Sequence, residues 1–133
     1  MKKQPQGAER RKSPRRPIVE TFSLFVVVPR KGDFRLKLHD ASDHGIGFDV
    51  DMEGEEIGEE NFPLQPGEFL DVQFYLNPSL FLPLKVKITR IEKREGVRRV
   101  GGEIQDRKSK EYVAFLAFIH MLDSLLETAQ FVT

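Results

Sequence analysis

From Phe22 to Ile104 apolar residues recur at every second position, and beyond Asp106 they recur at the spacing of a helix. This change of period constrains the fold more than any other feature, because each pattern buries a face only in its own backbone geometry. Phe22, Leu24, Val26 and Val28 share one parity and stop at the turn Pro29-Arg30-Lys31-Gly32-Asp33. Phe34, Leu36 and Leu38 alternate with Arg35, Lys37 and His39, and Ile46, Phe48 and Val50 with Gly47, Asp49 and Asp51. An acidic loop over roughly 51–66 closes at Pro66-Gly67. Leu70, Val72, Phe74 and Leu76 form the next strand, closed by Asn77-Pro78. Leu82, Leu84, Val86 and Ile88 follow, then a turn at Arg94-Glu95-Gly96 and a last strand over about 97–105. Six short strands predict a small antiparallel barrel or sandwich. A helix over 107–127, with Tyr112, Phe115, Leu116, Ile119, Leu122 and Leu126 on one face, covers an opening of it. Asp106 or Ser109 caps that helix, and 128–133 is a tail.

The 133 residues make one domain. Cysteine is absent, which excludes disulfides, thiol catalysis and cysteine zinc sites. No apolar run reaches eighteen residues and no secretion signal opens the chain, so we expect no membrane insertion and a cytoplasmic address. The net charge of zero hides an asymmetry. Residues 1–17 carry Lys2, Lys3, Arg10, Arg11, Lys12, Arg15 and Arg16 against Glu9, and the remaining chain, 18–133, is correspondingly acidic. This irregular basic arm, broken by Pro5, Gly7, Pro14 and Pro17, calls for an anionic ligand or serves as a solubilising tail. The body over 18–106 is a poor match for a nucleic acid backbone.

Nothing points to catalysis. Only His39, His44 and His120 are available as bases, and no nucleophile elbow, phosphate loop or His-Glu-x-x-His occurs. His39-Asp40-x-x-Asp43-His44 points its side chains in alternating directions on an extended segment. Asp49-x-Asp51-x-Glu53-Gly54 with Glu60 approaches the spacing of a calcium loop, but its flanks, Phe48, Val50 and Pro63, are not those of paired helices. We therefore expect no metal, no cofactor and no enzyme.

Two signals remain: Arg11-x-x-x-Arg15 in the arm, and Asp40-Ala41-Ser42-Asp43-His44-Gly45 where the second strand turns into the third. Their order and setting resemble the PilZ domain family, receptors for the second messenger cyclic di-GMP. Glu9-Arg10-Arg11-Lys12-Ser13-Pro14-Arg15, Gly45-Ile46-Gly47-Phe48 and Val100-Gly101-Gly102-Glu103-Ile104 extend the resemblance over about 9–105. It implies a six-stranded antiparallel β-barrel with a C-terminal α-helix. It also implies a cyclic di-GMP site made by Arg10, Arg11, Arg15, Asp40, Ser42, Gly45 and Gly101. A stacking aromatic found in some relatives has no obvious counterpart here, and the chain has no tryptophan.

These residue types suit that ligand. A guanidinium fork meets guanine O6 and N7, or phosphate oxygens, with two bonds. Asp40 and Ser42 share parity about 6.6 Å apart, so the carboxylate can accept guanine N–H groups while the hydroxyl donates to phosphate. Gly45 lets backbone approach the base. On its own, the same Asp-x-Ser-x-x-Gly also reads as a turn with glycine at positive φ. Arg94-x-x-x-Arg98 repeats the arginine spacing by accident, so Arg98→Ala is expected to be nearly silent in ligand binding. A protein-interaction adapter that binds no nucleotide and an oligonucleotide-binding small barrel are the alternatives; the latter needs basic strands with exposed aromatics. The output is expected to be a conformational change or a new contact with a downstream protein partner. The helix is apolar nearly all round, and its second face, with Val113, Ala117, Met121 and Phe118, serves self-association or a partner unless Phe131 and Val132 fold over it.

Overall fold

The computed structural model describes residues 22–32, 34–51, 62–94, 96–130 and 132. Alternation becomes strands β1 (Phe25–Val27), β2 (Leu36–Ala41), β3 (Gly45–Asp51), β4 (Phe69–Asn77), β5 (Leu80–Arg94) and β6 (Val97–Ile104). They close into an antiparallel barrel in the order β1-β2-β3-β6-β5-β4. β5 is the long member, pairing with β4 from Leu80 to Lys87 and with β6 from Val86 to Arg94. Closure gives the strands one wet and one dry face, except that the short β1 buries both Val26 and Val27.

The inward parity is the one the alternation marks: Val26, Leu36, Leu38, Phe48, Val50, Val72, Phe74, Val86, Ile88 and Val100 are all buried. Phe22 departs from it, lying ahead of the three-residue β1 and exposed. β-Bulges break the alternation between Leu38 and Asp40 on β2 and between Ile88 and Arg90 on β5, and a further register shift falls between Tyr75 and Asn77 on β4. After the first, Ala41 rather than Asp40 takes the inward position.

Arg98 takes an interior position that the sequence reading did not assign to it. It shares parity with Val100 and Ile104, is only 3% exposed, and holds its guanidinium 6.0 Å from the centroid of the Phe62 ring. Its stem packs as an apolar side chain would. Arg98→Ala is therefore expected to lower stability by about 2–3 kcal/mol, and Arg98→Met to recover most of that loss by keeping the volume. Urea unfolding of the two variants checks this.

Helix α1 spans Lys110–Thr128, and Ser109 is its cap: the Ser109 hydroxyl accepts from the Tyr112 N–H at 3.0 Å. It buries Tyr112, Phe115, Ile119 and Leu122 on the barrel, with Phe115 edge-on to Phe74 at 5.1 Å between centroids. Phe118 also packs on Phe74 and is partly buried, whereas Val113, Ala117, Met121 and Leu125 stay exposed. Val132 is fully exposed and covers none of that stripe; Phe131 lies outside the described residues.

Candidate functional site

The bulges on β2 and β5 face each other across β3 and β6 and make the walls of an open cleft of about 330 Å³ on the outer barrel surface. Its floor is glycine. Gly47 lies directly opposite Gly101, with Asp40 paired to Gly47 on one side and Arg90 paired to Gly101 on the other. One row across four strands thus reads Asp40, Gly47, Gly101, Arg90: a carboxylate and a guanidinium separated by a flat, side-chain-free saddle. Three strand spacings place their backbones roughly 14 Å apart.

The two walls are electrostatically distinct. Asp40 Oδ2 stands 3.8 Å from His39 Nε2. On the far wall Arg90 Nε lies 3.7 Å from Glu92. Arg94 donates to Glu92 at 2.9 Å, and this bond is the main reason the Glu92 carboxyl titrates below its ordinary value; desolvation opposes it, and the charges of Arg94, Arg90 and Arg99 add to the lowering. Thr89 donates to the Gly101 carbonyl at 3.2 Å, fixing the bulged segment over the floor. Arg99, also on the cleft, donates to Asp49 at 3.1 Å.

At the closed end, Ser42 N–H donates to the Gly45 carbonyl at 2.9 Å, and the Ser42 hydroxyl accepts from His44 N–H at 3.3 Å. The serine therefore does form a local turn, and its own O–H hydrogen remains available to a ligand. Gly45 is glycine for another reason than turn conformation: a Cβ there would run into the Gly102 carbonyl oxygen, and the residue is not at positive φ. Gly101 differs. A Cβ there would meet nothing nearer than 3.9 Å, so no neighbour demands a glycine, and what its absence of side chain leaves is room in the cleft.

The sequence matches the family model of the PilZ domain over residues 9–118. The chain belongs to the PilZ domain family. Its PilZ barrel is similar to three solved structures. The PilZ domain of YcgR from Escherichia coli, solved with c-di-GMP, aligns with a TM-score of 0.62 at 14% identity, over 89% of this chain and 95% of that one. The MrkH–c-di-GMP complex of K. pneumonia gives 0.61 and 14%, over 89% and 53%. The Bacillus subtilis inhibitor of motility MotI/DgrA gives 0.60 and 17%, over 90% and 53%. The chain thus spans about half the length of MrkH and MotI/DgrA, and the likeness at these identities is one of fold. No curated protein matches the sequence.

Of the residues the PilZ resemblance singles out, the structure brings Asp40, Ser42, Gly45 and Gly101 to one cleft. Arg10, Arg11 and Arg15 lie outside the described residues, as do positions 52–61 of the acidic loop. The sequence reading missed Arg90, Thr89 and Arg99 as lining of this PilZ cleft. Arg90 had no local signal, since two-residue alternation does not reveal the bulge that aims it.

Proposed function

We propose that this PilZ domain is a receptor for cyclic di-GMP that changes its conformation and its protein contacts when the ligand binds. The row Asp40-Gly47-Gly101-Arg90 carries the reading. A flat floor accepts a planar base, a carboxylate accepts the N1–H and N2–H donors that distinguish guanine from adenine, and a guanidinium donates to O6, N7 or phosphate. Arg10, Arg11 and Arg15 supply further forks from the arm, and Ser42 donates to phosphate. The complementarity is to binding; no step of bond making is part of this reading. In it the two negative charges of the ligand relieve the mutual repulsion of the seven cations in residues 1–17 and hold the arm against the barrel, which shifts the population toward a closed state. The arm and barrel then present a joint surface to a downstream protein partner in the cytoplasm. The exposed stripe Val113, Ala117 and Met121 is the surface for self-association or for that partner. Among the described residues no helix is long and apolar enough to cross a membrane.

One observation favours the oligonucleotide reading. On the opposite side of the barrel Lys37, Phe25, Tyr75 and Phe81 form an outer row in register, with Arg35 over Phe25 at 4.8 Å. Phe25 and Tyr75, however, already stack on each other at 4.7 Å, as a cross-strand pair does for its own stability. Calorimetry with cyclic di-GMP and with a single-stranded oligonucleotide separates the readings. We expect heat only from cyclic di-GMP, and at least about tenfold weaker binding in Gly101→Leu with its unfolding midpoint little changed. Silence toward cyclic di-GMP in the wild-type protein would leave the adapter reading; heat from the oligonucleotide alone would leave the nucleic acid one.

A further inference from the structure

From His39 to Gly47 every residue lines the cleft except two: Ala41, buried in the barrel, and Asp43, which turns to the helix. The Tyr112 hydroxyl donates to the Asp43 carbonyl at 2.6 Å, and His120 Nε2 donates to Asp43 Oδ1 at 3.0 Å. One residue of the β2–β3 turn is thus gripped twice by α1, through its backbone and through its side chain, across 69 and 77 positions of sequence. On its other flank the turn is pinned to the end of β6, where Ile104 N–H donates to the His44 carbonyl at 2.9 Å. Neither Tyr112 nor His120 lines the cleft.

We propose that Tyr112 and His120 are positioning residues: through Asp43 they hold the turn so that Asp40 and Ser42 present their oxygens to the cleft, which couples α1 to the ligand site. The inference rests on the cyclic di-GMP reading for the identity of the ligand, but the clamp itself is a property of the free protein. Tyr112 is anchored by the packing of its ring beside Phe115, so its hydroxyl is a fixed post rather than a swinging arm. If α1 shifts, Asp43 follows or loses both bonds, and the Ser42–Gly45 closure beside it loosens. By reciprocity, ligand bound at Asp40 and Ser42 holds α1 down by the same factor that a displaced α1 weakens binding. A partner that pulls on the exposed stripe of α1 therefore competes with the ligand without touching the cleft.

Two measurements test this. Hydrogen exchange on the free protein reads the clamp: in Tyr112→Phe, which loses only the hydroxyl, the Ser42 amide should exchange several-fold faster than in wild type, while amides of β4 stay unchanged. Calorimetry with cyclic di-GMP reads the coupling: Tyr112→Phe and His120→Ala should each bind about three- to tenfold more weakly, the range of one lost hydrogen bond. His120→Gln, which keeps an N–H donor, should recover most of the affinity. A merely structural role would lower the unfolding midpoints and leave affinity and the glutamine rescue flat, and that pattern overturns the proposal. Unchanged Ser42 exchange in Tyr112→Phe also overturns it, whatever the ligand does. Wild-type protein that fails to bind cyclic di-GMP, with Ser42 exchange accelerated as expected, refutes the ligand and leaves the clamp standing.

Discussion

Arg15→Ala is expected to weaken cyclic di-GMP binding about 30- to 150-fold, and Arg11→Ala to do the same. Each loses a charge-assisted, partly bidentate contact on the order of 2–3 kcal/mol. Lysine at either position should recover only part of this, because an ammonium is a point charge and cannot meet two acceptors at once. Rising salt should weaken wild-type binding, since the contacts proposed for the arm are largely ionic. Amide exchange over residues 8–17 should slow on saturation with ligand in wild type and not in Arg15→Ala. The cost of ordering that segment, about 1–2 kcal/mol per residue, comes out of the binding energy and keeps the affinity moderate. Two alanine variants of full affinity would remove the arm from the site and leave the cleft alone to account for binding.

Phe115→Ala is expected to destabilise the protein by about 3–5 kcal/mol, the usual loss for a fully buried phenylalanine. Phe115 is wholly buried, edge-on to Phe74 at 5.1 Å and beside Tyr112 at 6.4 Å, so it joins the barrel core to the helix. The cavity cannot collapse easily, because the closed barrel fixes Phe74 on one side and the helix backbone fixes the other. The unfolding midpoint should drop by on the order of 10 °C or more. Val113→Ala, on the exposed stripe, should change stability within about 0.5 kcal/mol. Thermal unfolding followed by circular dichroism compares the two. A Phe115→Ala midpoint equal to wild type would mean that α1 is not part of the cooperative core.

Much of this molecule is legible in one dimension. Alternation from Phe22 to Ile104 determined six strands and, through parity, which face of each is buried. The change of period after Asp106 determined the helix, and Ser109 three residues before Tyr112 is the kind of cap that local backbone chemistry selects. The spacing Asp40-x-Ser42-x-x-Gly45 marked one end of the cleft. Parity also marks an inward charge: Arg98 alternates with Val100, and the barrel takes it inside.

Other features were decided only in three dimensions. The bulges at Leu38/Asp40 and Ile88/Arg90 depend on how each strand meets its neighbour in a closed barrel, and they put Arg90 opposite Asp40 from 50 positions away in sequence. Gly45 owes its identity to the carbonyl of Gly102, and Asp43 owes its orientation to Tyr112 and His120. Periodicity and capping are set by free energies within a few residues of chain, so the sequence by itself determines them. Which side chains confront each other across the cleft, or grip one turn from a distant helix, is set by contacts between segments whose separation along the chain carries no local signal, and only closure of the barrel and docking of the helix decide it.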